Sequence, residues 1–257
     1  MNSLIILNLI TGVCLAAIVA FVAYRFQSLS RGGAIAAVIV GAVVFGFGGW
    51  NHAVPMVVFF ATSSGLSRWR KVRKNRLGFE KSGRRDAAQV FANGGVAAVC
   101  ALLPMFGINP ARVYMAYLAA LAAANADTWA TEIGSAAGGK PFLITTFERV
   151  DPGASGAISP LGIVAALSGS TLLSFWAPNL VSGIIVCFSG FSGSLLDSFA
   201  GATLQAQWIE QKTDSSGSQW MEFSSAATKP DRGYRFFSND VVNVICALSA
   251  AIIAAIV

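Results

Sequence analysis

The chain has 257 residues, of which 55% are hydrophobic and only 12% charged, with a formal net charge of +6. Soluble domains carry about 25% charged residues, and here apolar runs of membrane-spanning length alternate with charged stretches, which excludes one or two soluble domains. The cations lie between the apolar runs, so the positive balance is not the mark of a nucleic-acid binder, and no nucleic-acid polymer is expected as a partner.

The first apolar segment, roughly residues 4–24, runs straight into Arg25. It lacks a basic leader and a cleavage site, so it reads as a span and not as a secretory signal. Segments at roughly 32–50 and 53–67 follow, the second short and ending in TSSG, with the sole histidine, His52, in a short outer loop and incidental. The stretch RWRKVRKNRLGFEKSGRR then forms a basic loop over 68–86. It is either a topogenic, headgroup-binding patch or in part a site for substrate phosphate through Arg84 and Arg85.

The fourth segment, roughly 88–106, enters with DAAQVFANGG, which places Asp86, Gln89 and Asn93 in its first half. The fifth, roughly 111–134, reads as a lipid-buried helix until ANADTWATEIGS, where Asp127 and Glu132 interrupt it. A Gly-rich loop occupies 135–156. Gly134 to Lys140 formally fits G-x-x-x-x-G-K, but Pro141 stands where a P-loop needs Ser or Thr, and a helix precedes it instead of a strand. What survives is the chemistry of the parts: Gly134, Gly138 and Gly139 let backbone N–H groups approach an anion, and Lys140 adds charge. Ser155, Gly156 and Ser159 precede the sixth segment, roughly 157–177, whose N-terminus is a natural phosphate site.

The seventh segment, roughly 180–206, ends in SGFSGSLLDSFAGATLQAQ, and Asp197-Ser198 echoes Asp127-Thr128. A polar loop over 207–238 leads to the eighth, roughly 239–257, which opens with Asn239, Asp240 and Asn243. The four cysteines fall in four different segments without ligand spacing and read as core residues.

The expected fold is therefore all-α: one integral membrane domain, 1–257, with about eight spans. All 18 Lys and Arg except Arg112 lie in the loops of one side. The positive-inside rule then puts both termini outside and the long loops in the cytoplasm. Four segments carry acids and amides at one depth on that side: Asn93; Asn125, Asp127, Thr128 and Glu132; Asp197 and Ser198; Asn239, Asp240 and Asn243. An ionised side chain is costly there, and few bases on these segments could pair with it, so a polar cavity open to the cytosol is expected. Oxygen donors without imidazole or thiolate suit a hard cation, Mg²⁺, held by Asp127, Glu132 and Asp197. On an ideal helix Asp127 and Glu132 point about 140° apart, so Asp127 is the more natural partner of Asp197.

The stretches FFATSSGLSRWRK, KSGRRDAAQVFANGG, NADTWATEIGS, PGASGAIS, GSLLDSFAGATLQAQ and NDVVN resemble, in order and over most of the chain, the phytyl-phosphate kinase family of polytopic membrane proteins, long carried as domain of unknown function ninety-two. Asp127 to Lys140 is more loosely similar to a segment of CTP-dependent polyprenol and phytol kinases. The resemblance implies phosphoryl transfer from a nucleoside triphosphate, CTP foremost, to phytyl phosphate or a related isoprenyl phosphate lipid. The product would be the diphosphate used to prenylate tocopherol, quinone or chlorophyll precursors, and the membrane a bacterial inner one. Many members carry a cysteine-containing insert after LQAQ; WIEQKTDSSGSQWMEF has none. A transporter of a lipid phosphate or cation-coupled solute, and a cytidylyltransferase making a CDP-lipid, are the alternatives. Oligomeric state is not legible.

Overall fold

The computed structural model describes residues 3–76, 84–136, 139–151, 153–207, 209–213, 219–223 and 232–257. Its helices are α1 Ser3–Arg25, α2 Arg31–Arg76, α3 Ala87–Leu102 with a 3₁₀ turn Leu103–Phe106, α4 Pro110–Gly134, α5 Pro160–Ser174, α6 Leu180–Thr203 and α7 Asn239–Ile256. Asn109, Ser159, Asn179 and Ser238 supply side-chain N-caps, and Pro follows at the first helical position of α4 and α5, as the unpaired N–H groups of a helix start require.

Helix α2 is two helices in one run. Gly49, at φ 61° and ψ −155°, breaks it in a conformation that a Cβ would strain. Gly33 packs on the backbone of Arg85, and Arg85 also donates from Nη2 to Ser67 Oγ at 3.4 Å. In a straight helix residues 33 and 67 would stand about 50 Å apart, so the two halves fold back antiparallel at Gly49. His52 secures the turn. Its Nδ1 meets the Gly48 carbonyl oxygen at 2.9 Å, its ring lies 4.5 Å from that of Tyr117, and the Tyr117 hydroxyl donates to its carbonyl. The histidine expected to be incidental thus holds a hairpin together. The second half continues helical to Arg76, so residues 68–76 of the expected basic loop belong to a helix. Arg and Lys are good helix formers, and no Gly or Pro interrupts them before Gly78.

Helix α4 is the axis of the bundle. Every residue from Tyr117 to Ala123 is at most 1% exposed, because α2, α3, α5, α6 and α7 all pack on it. The run that reads as lipid-buried is sheathed in protein instead. Its alanines allow close approach: a Cβ on Gly190 would come within 2.5 Å of Ala122 Cβ, and one on Gly193 within 2.9 Å of Ala123 Cβ. Helix association in lipid depends on such tight contact between small residues.

By length and composition five of the described helices can cross a membrane: Ile6–Arg25, Arg31–Arg70, Ala87–Phe106, Leu180–Thr203 and Asn239–Ile256. Helix α5 is apolar but only 15 residues long. Contacts gather the polar helix ends on one side of the bundle. Leu29 bridges Arg85, Gly134 packs on Gly162, Gly156 packs on Ala202, and Gln205 bridges Tyr234. Two small β ladders decorate this end: β1 Phe142–Leu143 with β2 Ala157–Ile158, and β3 Ile209–Thr213 with β4 Gln219–Phe223.

Candidate active site

The two acids of α4 have different surroundings. Glu132 Oε1 accepts from Ser67 Oγ at 2.7 Å, and its Oε2 pairs with Arg70 Nη1 at 3.1 Å. Arg85 stands behind Ser67; burial pushes its guanidinium below its ordinary pKa, and the charge of Glu132 opposes that shift. Glu132 therefore has the bases that the sequence reading expects to be lacking, because the second half of α2 runs beside α4 and carries Arg70 to its level.

Asp127 lies within electrostatic reach of two carboxylates, Glu132 on its own helix and Asp197 on α6, with Cys246 of α7 buried beside Asp127 and Asp197. Neither acid forms an ion pair among the described residues, and Asp197 Oδ2 is buried without a hydrogen-bond partner. A carboxylate oxygen buried without a donor, beside a second carboxylate, is a costly arrangement.

The expected triad of Asp127, Glu132 and Asp197 is not assembled: among the described residues no three His, Cys, Asp or Glu side chains form a ligand set. Glu132 stays within electrostatic reach of Asp127, but its two oxygens are engaged by Ser67 and Arg70. A pair suffices for Mg²⁺, which takes one or two protein carboxylates and completes its shell with water and phosphate oxygens. The buried orphan oxygen of Asp197 and the oxygen-only donors of the pair fit that cation.

Other expected site residues take structural roles. Asn125 is wholly buried: its Oδ1 accepts from Thr62 Oγ1 at 3.2 Å and Ser63 Oγ at 3.0 Å, and its Nδ2 donates to the Gly169 carbonyl at 2.8 Å. It ties α2, α4 and α5 together and does not line an open cavity. Thr128 donates to the Ala124 carbonyl of its own helix. Gly134 is needed for packing, since a Cβ there would lie 2.9 Å from Gly162 Cα. Gly156, at φ 78°, packs on Ser198 O and Ala202 of α6. Ser159 Oγ caps α5 by accepting from the Gly162 N–H at 3.1 Å, which uses part of the helix start expected to receive phosphate. Ser155 is half-buried beside these residues.

Lys140 is exposed and pairs with Asp151 at 3.3 Å, next to the exposed Gly139. Gly138 lies outside the described residues, as do parts of the 68–86 and 207–238 loops. Asp86 caps α3 by accepting from the Gln89 N–H at 3.0 Å. Arg84 is exposed, 6.0 Å above the Tyr24 ring. Asn93 donates to the Gln89 carbonyl and lines a separate cavity among α1, α2 and α3. On α7 Asn239 is exposed, while Asp240 and Asn243 are half-buried, Asp240 within reach of the charge of Asp86. Sequence reasoning missed Ser67 and Arg70. Their spacing from TSSG on a helix, instead of in a loop, is the signal that would have revealed them.

Comparison with known proteins agrees with the helical architecture. The model of the integral membrane protein family DUF92 matches residues 14–251. Protein PGR of Arabidopsis thaliana is 28% identical over 229 residues, 77% of this chain and 79% of the relative. An uncharacterized membrane protein of Synechocystis is 32% identical over 179 residues, 66% of this chain and 69% of the relative. Protein VTE6, chloroplastic, of Arabidopsis thaliana is 25% identical over 232 residues, 88% of this chain and 64% of the relative. No solved structure gives a significant match. The chain belongs to the DUF92 family and is an integral membrane protein of all-α, polytopic fold.

Proposed function

We propose that the protein acts in isoprenyl phosphate metabolism as a kinase, moving the terminal phosphoryl group of a nucleoside triphosphate, CTP foremost, to phytyl phosphate or a related isoprenyl monophosphate. The observation that carries this reading is the half-buried pair Asp127 and Asp197, without an ion pair among the described residues and with Asp197 Oδ2 buried and unpartnered. The resemblance to the phytyl-phosphate kinase family supplies the substrate class, and the relation to Protein VTE6 is compatible with it.

In this reading an oxygen of the isoprenyl monophosphate attacks the terminal phosphorus of the nucleotide. The bond from that phosphorus to the bridging oxygen breaks, and the nucleoside diphosphate leaves with the electron pair. The attacking oxygen is already anionic, so no general base is required. The protein's tasks are positioning and charge neutralisation. Asp127 and Asp197 would hold Mg²⁺, which when bound shields the charge of the phosphate oxygens. Lys140, exposed beside the pair's end of the bundle, exchanges Asp151 for a nucleotide phosphate. Arg70 pairs with Glu132 and Arg85 lies within reach of the same charge, which brings two guanidinium groups close to the carboxylates. With the long loops inside, this end of the bundle faces the cytosol.

The test is product analysis. Purified protein in lipid nanodiscs is given phytyl phosphate, Mg²⁺ and CTP labelled in the α or the γ phosphate. The expected outcome is γ label in phytyl diphosphate and α label in CDP. Release of pyrophosphate with α label in the lipid would make it a cytidylyltransferase. Transmembrane movement of the lipid phosphate without nucleotide consumption would make it a transporter.

A further inference from the structure

A cavity of about 320 Å³ opens between α1, both halves of α2, and α3, a volume at the lower end of small-molecule sites. Its walls are aliphatic and aromatic, with Leu15 and Val19 of α1 and Val40, Phe45, Val57 and Phe59 of α2 among them. The polar side chains Arg85, Gln89 and Asn93 line it; Gln89 and Asn93 are four apart on α3 and share a face, and Arg85 stands just before the helix cap Asp86. The Asn93 amide is already spent on the Gln89 carbonyl. Arg85 remains as the one cation of the lining, at the end where Glu132 and the carboxylate pair stand.

We infer that this cavity holds the hydrocarbon chain of the isoprenyl phosphate, with Arg85 drawing the phosphate to its polar end. The identity of the headgroup rests on the kinase reading above. Charge complementarity supports the assignment. Glu132 is ion-paired with Arg70, while Arg85 forms no ion pair among the described residues and meets Ser67 at 3.4 Å, so its guanidinium is left for an anion, and a phosphate monoester carries about −1.5 to −2 at neutral pH. The occupant's dual chemistry is matched: apolar walls along about 12 Å of helix from Ala37 to Phe45, and a guanidinium at one end. A bilayer phospholipid fits less well, with two chains and a diester of single charge. Helix α1 makes its substantial contacts with α2 alone, so the chain can enter from the bilayer at the α1 edge without parting the core around α4. The attacking phosphate would then lie on the Arg85 side of Glu132 and the nucleotide on the Asp127 side.

Unaltered protein in phosphatidylcholine nanodiscs is photolabelled with an isoprenyl monophosphate carrying a diazirine in its tail, and the adducts are mapped by mass spectrometry. Adducts on α1, α2 and α3 around Val19, Val57 and Val90, suppressed at least tenfold by phytyl phosphate but not by phosphatidic acid, are the expected result. Adducts elsewhere, or label that phosphatidic acid displaces equally well, overturn the inference and leave a surface wetted by bulk lipid. Arg85→Gln should weaken competition by phytyl phosphate at least tenfold and leave competition by phytol unchanged; an equal effect on both removes Arg85 as the headgroup anchor. Ala37→Phe, shown to be folded by its elution and melting, should raise KM for phytyl phosphate about tenfold and leave that for dimethylallyl phosphate unmoved; equal or absent effects place the chain elsewhere. If no phosphate is turned over with any nucleotide, the kinase reading falls, while the photolabel still decides what fills the cavity.

Discussion

Asp127 and Glu132 lie within two turns of one helix, yet one is left uncompensated and the other is clamped. Glu132 has a serine hydroxyl at 2.7 Å and a guanidinium at 3.1 Å. Asp127 has the carboxylates of Glu132 and Asp197 within electrostatic reach, and among the described residues Asp197 Oδ2 has no hydrogen-bond partner. Folding stability explains the first arrangement, since a half-buried carboxylate with two bases is compensated. Nothing in folding favours the second, because two like charges out of water repel and lack solvation. The contrast separates an ion-paired acid from one without an ion pair on the same helix, and the proposed kinase reading gives the second a use.

Replacing Asp127 or Asp197 by Asn is the sharpest way to break the contrast. Turnover in the labelled-CTP assay should fall about 1,000-fold, the loss of roughly 4 kcal/mol of transition-state stabilisation. Melting temperature should hold or rise, because a repulsive charge is removed. Retained turnover, or a large loss of stability, would erase the distinction between the two acids. Glu132→Gln should do the opposite. It leaves Arg70 and Arg85 without their carboxylate, and breaking a buried pair costs up to about 3–5 kcal/mol, less for these partly wetted groups. The expected sign is a melting temperature lowered by several degrees with activity down only about tenfold. A double variant with Arg70→Met should recover part of the stability, which a thermal-shift double-mutant cycle would read.

Asn125→Ala extends the comparison to the core. It removes the partner of the Ser63 hydroxyl and a donor to the Gly169 carbonyl, while Thr62 keeps the Val58 carbonyl; the cost is about 1–3 kcal/mol, to be measured as a lower midpoint in detergent denaturation, without a change in KM for the nucleotide. The smallest effect is expected at Lys140. Its pair with Asp151 is exposed and contributes little to stability, so Lys140→Ala should leave the melting temperature unchanged and raise KM for CTP about tenfold. An unchanged KM would remove Lys140 from the nucleotide site.

Much of this was legible in the chain. Helical periodicity sets Asp127 and Glu132 about 140° apart and makes Asp197 the more natural partner of Asp127. The motif G-x-x-x-x-G-K misleads for an equally local reason: glycine serves anion cradles and tight helix crossings alike, and Gly134 stands over Gly162 at a crossing. Asn125 misleads because an amide at membrane depth can line water or bind three polar groups in a dry core, and no pattern in α4 itself separates the two cases. Arg70 was hidden because it is brought to Glu132 by the fold-back at Gly49, not by sequence proximity.

The sequence by itself determined the class of molecule, an all-α integral membrane protein, and which stretches of the chain are apolar. Hydrophobicity and charge act on each segment independently of its neighbours, so these are readable from composition and spacing. Only the tertiary structure decided which acid is paired, which amide is core, and where an apolar cavity meets a lone cation. Those outcomes depend on which helices lie beside α4 and at what level, and helix-to-helix register is set by long-range packing of small residues.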